Sequence, residues 1–180
     1  RIPLTAVLRG EAHYATYARD DETAPTFSLP DDGMTYHVRT GLRWGGQEPL
    51  LAPEFAMELS GWYEGAYRTG SGTYGFNDRQ LETFAHLFWG RALLAYTFPK
   101  TKQSFNLNLT MGTSIDADRL SAYRLGGMLP FASEFPLNLP GYYFQELSAK
   151  QFVLLNGQYS FPISPERNFR LTVVAATAAV

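Results

Sequence analysis

Chemistry in this chain would have to come from histidine, hydroxyl and carboxylate groups, because there are 3 His and 0 Cys. The missing thiols exclude a disulfide framework and any Cys-based zinc or redox site. His13, His37 and His86 have no clustered carboxylates at ligand spacing, so no metal site is expected. A hydrolase would need a Ser–His pair on adjacent strands. Ser60 and His37 could share one face, but nothing around them marks a nucleophile, and neither catalysis nor a cofactor is expected. Thr69-Gly70-Ser71-Gly72 precedes a strand rather than a helix, so it is not a phosphate loop. What remains is charge: Arg39, Arg43, Glu58, Glu64 and Arg68 sit beside Trp62, Gly41 and Asn108. Planar guanidinium groups pair bidentately with carboxylates in confined space, and these five residues are expected to form one structural network. Lysine is almost absent from that set, and Lys100, Lys102 and Lys150 fall in or near connections.

The elements that carry these residues have a period of two. Met34, Tyr36, Val38, Leu42 and Trp44 alternate with Thr35, His37, Arg39, Gly41 and Arg43. Over 55–68, Phe55, Met57, Leu59, Gly61, Tyr63, Gly65 and Tyr67 oppose Ala56, Glu58, Ser60, Trp62, Glu64, Ala66 and Arg68. Over 104–113, Phe105, Leu107, Leu109 and Met111 oppose Ser104, Asn106, Asn108, Thr110 and Gly112. Four segments follow the rule less cleanly: 4–17, 80–98, 144–162 and 168–180. Stretch 80–98 is apolar on both sides, and Arg91 assigns Phe84, Phe88, Ala92, Leu94, Tyr96 and Phe98 to the outer face. Seven strands are predicted, several longer than the five or six residues usual in soluble sheets. Their connections alternate between long and polar (19–33, 69–79, 114–143) and short (46–53, 99–102, 164–167).

A chain of 180 residues with 18% charged residues, 15% aromatic residues and 16 Gly departs from the usual quarter of charged residues. A net charge of −2 excludes a strongly basic nucleic-acid binder. No run of eighteen apolar residues exists, so no transmembrane helix is expected. A soluble β-sandwich binding module and a membrane β-barrel both remain. Two features favour the barrel. Aromatic residues cluster at both ends of the apolar faces: Trp44, Phe55, Tyr96, Phe98, Phe105, Tyr159, Phe161 and Phe169 near the short turns, and Tyr14, Tyr36, Tyr63, Tyr67 and Phe84 near the long loops. Leu8, Val38, Leu59, Ala92, Leu109 and Val153 lie between, and two aromatic girdles around an aliphatic band suit the two membrane interfaces. The polar face, rich in Arg and poor in Lys, suits a barrel interior. Seven is an odd count for a bacterial barrel, and the chain stops within an apolar run at Val180, so it reads as a piece of a longer protein.

One segment resembles a known family. Tyr123-Arg124-Leu125-Gly126-Gly127 is followed by Leu139-Pro140-Gly141-Tyr142-Tyr143, and then by a strand ending Asn156-Gly157-Gln158-Tyr159-Ser160-Phe161-Pro162-Ile163. This is similar to the barrel of the BamA/TamA-type outer-membrane assembly and translocation superfamily, the bacterial surface antigen domain. There a Leu-Gly-Gly segment leads into a long extracellular loop with an Arg-Gly-Tyr motif. The resemblance spans about residues 103–170. It implies an all-β fold: an antiparallel transmembrane β-barrel of sixteen strands, with this chain supplying about strands seven to thirteen as part of one outer-membrane domain. It further implies insertion or translocation of proteins at a bacterial outer membrane, without cofactor, in contact with membrane lipid, substrate proteins and periplasmic partner domains. Arg124, Leu125, Gly126, Gly127, Gly141 and Tyr142 would form the motif loop. Pro140 replaces the family's loop arginine, which pairs with acidic residues of the barrel wall, and Arg124 is the candidate substitute. A passive pore or adhesin-like barrel is the alternative on the same fold.

Overall fold

A computed structural model describes residues 2–46, 53–70, 72–127, 137–164 and 169–180. Ser71, most of the short connections expected at 46–53 and 164–167, and residues 128–136 of the motif loop lie outside the described residues. Seven long strands form one antiparallel sheet: β1 (Leu4–Ala15), β2 (Gly33–Gly46), β3 (Phe55–Arg68), β6 (Phe84–Thr97), β7 (Ser104–Ile115), β10 (Gln151–Pro162) and β11 (Arg170–Ala179). Two small hairpins stand apart from it, β4 (Thr73–Tyr74) with β5 (Arg79–Gln80) and β8 (Tyr123–Leu125) with β9 (Leu147–Ala149). Each long strand pairs with the next in sequence, so the sheet is a meander whose two edges, β1 and β11, are not joined to each other. The all-β, seven-stranded antiparallel expectation holds; the sheet is open.

Side chains alternate across a strand, and the register carries that alternation across the whole sheet. Leu59 stands opposite Trp44 and Ala92, Ala92 opposite Leu109, and Leu109 opposite Leu155. One face is therefore largely apolar across the sheet, interrupted by Thr40, His86 and Thr177, and open to its surroundings, with Leu8 78% exposed and Leu59 55% exposed. Aromatic rows cross that face at two levels. Phe55, Tyr96, Phe105 and Tyr159 are successive partners near the short turns, and Tyr36, Tyr67 and Phe84 are successive partners near the long loops.

The opposite face is where burial occurs. Trp62 and Trp89 are cross-strand partners and stack with ring centroids 6.3 Å apart. They fit because glycines flank them. A Cβ on Gly41 would lie 2.4 Å from the Trp62 ring, and one on Gly112 would lie 2.5 Å from Phe152. Large side chains lie over glycines in this layer. The main cluster joins Ala66, Ala85, Leu87, Phe152 and Leu154 of the sheet to Ala117, Tyr123, Leu125, Leu137, Leu139 and Ala149 of the connection after β7. That connection therefore folds back over the charged face at its long-loop end.

At three boundaries a loop contact shortens the strand that the sequence predicts. The strand predicted over 144–162 begins at Gln151, because Leu147–Ala149 pair with Tyr123–Leu125 instead. The strand predicted over 80–98 begins at Phe84, while Arg79–Gln80 pair with Thr73–Tyr74. The strand predicted over 4–17 ends at Ala15, and Tyr17 donates its backbone N–H to Asp32 instead (2.8 Å). In all three a local loop contact competes with continuing the ladder and wins.

Candidate functional site

The five charged residues singled out in the sequence stand on one face of β2 and β3 and fall into three separate contacts. Arg39 and Glu64 are direct cross-strand partners. Arg39 Nε donates to Glu64 Oε2 (2.8 Å) and the His37 ring meets Glu64 Oε1 at 2.9 Å. The Arg39 guanidinium also lies over the Trp89 ring, 5.4 Å from its centroid. Glu58, only 6% exposed, lies between two guanidinium groups: Arg43 Nε at 3.9 Å and Arg91 Nε at 3.8 Å. Ser60 donates its hydroxyl to the same carboxylate (3.2 Å). A carboxylate so far from water is tolerated because cations flank it. Arg91 appeared in the sequence only as a face marker; its partnership with Glu58 needed the register, which sets Arg91 opposite Ser60.

Arg68 belongs to a different contact. Its Nη1 donates to Asp118 Oδ2 (2.8 Å), joining the end of β3 to the connection after β7. Asp118 is saturated: its other oxygen accepts from the Ser121 hydroxyl (2.8 Å) and the backbone N–H groups of Leu120 and Ser121 (2.9 Å each). Glu82 N–H also donates to Oδ2 (3.2 Å). Burial alone pushes this carboxyl upward, but the hydrogen bonds from Ser121 and Arg68 outweigh it and hold the group below the ordinary aspartate range. Sequence reading passed over Asp118; the available signal was the Asp-x-x-Ser spacing, which closes a local turn on its own backbone.

The motif residues are brought together in part. Leu125 is fully buried in the cluster under the loop. Gly126 has φ +141°, and a Cβ there would meet the Tyr143 carbonyl at 2.5 Å. Gly127 donates its N–H to the Tyr143 carbonyl (2.9 Å) and accepts from Gln145 N–H (3.3 Å). The two halves of the motif thus meet through backbone at positions where side chains would collide. Gly141 has φ +92° in open space, and Tyr142 is exposed. Arg124 donates to the Arg119 carbonyl (2.6 Å) within its own loop. The loop is held to the sheet by an ion pair, with the cation Arg68 on the strand and the anion Asp118 on the loop.

Tyr123 completes the attachment. Its hydroxyl lies 2.9 Å from the Phe88 carbonyl and 3.1 Å from the Thr113 carbonyl and donates to them. Burial raises this phenol well above its usual range, so it remains a donor. Between loop and wall a cavity of about 180 Å³ is lined by Arg39, Glu64, Trp89, Tyr123, Leu137 and Phe152, among others.

The candidate nucleophile and base are not brought together. Ser60 stands opposite Arg43, whereas His37 stands opposite Ala66 and engages Glu64. Among the described residues, no group of three His, Cys, Asp or Glu is placed to hold a metal ion. Compared with protein-family models, curated proteins and solved structures, the chain matches none.

Proposed function

We propose that the chain is a membrane-embedded wall of a bacterial outer-membrane β-barrel, with its apolar face toward lipid and its Arg–Glu face toward the lumen. The observation that carries this reading is the exposed, largely apolar face that crosses the sheet, bounded by an aromatic row at each level. A soluble domain rarely leaves an apolar patch beyond a few hundred Å² uncovered. The spacing of the rows also suits a bilayer. Phe55 and Tyr67 of β3 are twelve residues apart, or about 40 Å along a strand. At a tilt of about 45° this projects to about 28 Å, close to the hydrocarbon thickness.

Within that barrel the chain serves a protein assembly or translocation factor. The motif resemblance supports this, as does the fold of the motif loop onto the Arg–Glu face, fastened by Arg68–Asp118 and by Tyr123. Differential extraction tests the membrane reading: the chain is expected to stay in the membrane pellet through high salt and carbonate and to leave it only with detergent. Release by salt alone would refute it. For the assembly role, loosening the loop by Asp118→Asn is expected to lower the yield of client barrels folded in reconstituted vesicles. An unchanged yield from a loop shown to be open would favour a passive pore.

A further inference from the structure

We infer that the turn joining β6 to β7 is a binding site for an anionic phospholipid at the short-turn interface. The inference rests on the lipid-facing reading above. Phe98, Pro99, Lys100, Thr101, Gln103, Phe105 and Tyr159 line an open bowl of about 700 Å³. Two of its lining rings, Phe98 and Phe105, lie 6.3 Å apart and are backed by Tyr96, which meets Phe98 edge to face at 5.1 Å. Lys100 stands on the rim of the bowl, and Lys102, exposed in the same turn, adds a second cation beside it.

The rim is also rigid. Phe98 N–H donates to the Gln103 carbonyl and Lys102 N–H to the Phe98 carbonyl (2.8 Å each), with Lys102 held at φ +57°. Arg170, from β11, donates to the Lys102 carbonyl (2.7 Å) and the Ser104 hydroxyl (3.0 Å). Tyr159 donates to Gln103 Oε1 (2.7 Å), which ties the third side of the bowl to the turn. Little ordering remains to be done when a ligand arrives.

Charge complementarity identifies the occupant. Among the described residues, the short-turn end carries Lys100, Lys102 and Arg170 against one carboxylate, Glu54. The long-loop end is the reverse, with Asp20, Asp21, Asp31, Asp32, Asp78 and Asp116 among its acids. A ligand with a phosphate at the lysines and acyl chains over the rings satisfies both parts of the bowl. A soluble phosphate would leave the aromatic lining unused, and a neutral zwitterionic lipid would leave the lysines without a net anion.

Native mass spectrometry of the detergent-solubilised chain, with phosphatidylglycerol or phosphatidylcholine added at equal concentration, tests this. Two lysines contributing about 1 kcal/mol each at a charged surface correspond to about a thirtyfold preference for the anionic lipid. K100Q/K102Q is expected to lower phosphatidylglycerol adducts to the phosphatidylcholine level, and K150Q, at the opposite end, to leave them unchanged. Retained phosphatidylcholine adducts and sheet circular dichroism show that the double variant is folded. Equal uptake of both lipids by the unaltered chain, or an unchanged preference in the folded double variant, overturns the headgroup site and leaves the membrane reading standing. Displacement of the lipid by millimolar inorganic phosphate also overturns it, because the rings would then contribute nothing. Uptake of neither lipid overturns both.

Discussion

Replacing Asp118 by Asn is expected to open the motif loop. The carboxylate takes five donors, three on one oxygen and two on the other. An Asn amide has one acceptor oxygen and an NH₂ that can only donate. In one orientation the NH₂ faces Arg68 and Glu82 N–H; in the other it faces Ser121 and Leu120. Neither orientation satisfies all the donors, and Arg68, 13% exposed, loses its counter-ion. Removing one partner of a buried pair costs about 3–5 kcal/mol. The lower figure is the appropriate one here, since both side chains retain some contact with solvent. At about 1.4 kcal/mol per decade, 3 kcal/mol raises the open fraction about a hundredfold. The absence of cysteine makes the assay clean. Ala149→Cys places a single thiol in the buried cluster beneath the loop, and its maleimide labelling rate reports loop opening. The labelling rate of the A149C/D118N chain should exceed that of A149C by about two orders of magnitude, with the long-strand sheet intact by circular dichroism. A change below about threefold would refute the assignment of the Arg68–Asp118 contact as the fastening of the loop.

Three further outcomes follow from the same geometry. Because the Asp118 carboxyl is held below its ordinary value of 3.8, ionisation stabilises the closed loop above that pH and the stabilisation is lost as pH falls below it; acid titration of Trp fluorescence should show this step in the unaltered chain and not in D118N. Leu59→Lys should cost about 2–4 kcal/mol in vesicle-inserted protein unfolded by denaturant, and Leu109→Lys the same, as for cations near a bilayer midplane. Gly41→Val should cost at least about 1–3 kcal/mol by overpacking, since even a methyl would enter the Trp62 ring, and the loss should be visible in the thermal midpoint and in Trp emission.

The long strands and their faces were legible because a period of two is a local signal, repeated in each of β2, β3 and β7. Two of the four stretches where alternation is less clean, 80–98 and 144–162, were informative in a way that needed the structure. Ala85 and Leu87, and likewise Phe152 and Leu154, lie under the folded connection, so apolar residues are required on both sides there. The β8–β9 hairpin was not legible. Tyr123 and Ala149 are partners across twenty-six positions, and three-residue strands have no period to detect. Arg39 with Glu64 could be placed on one face by parity, whereas Arg68 with Asp118 could not, since one partner lies in a connection without alternation.

The two open edges, β1 and β11, have a directional relation that follows from the meander. With seven antiparallel strands in sequence order, the first and last run in the same direction. In the proposed membrane setting the direction of each strand is fixed, so copies of this sheet arranged about an axis normal to the bilayer would meet only through parallel seams, β11 of one against β1 of the next. Spanning barrels are built from antiparallel neighbours. In the barrel proposed above, self-association of this sheet would therefore not give an all-antiparallel closure, and strands that did so would be odd in number, entering and leaving the membrane on opposite sides.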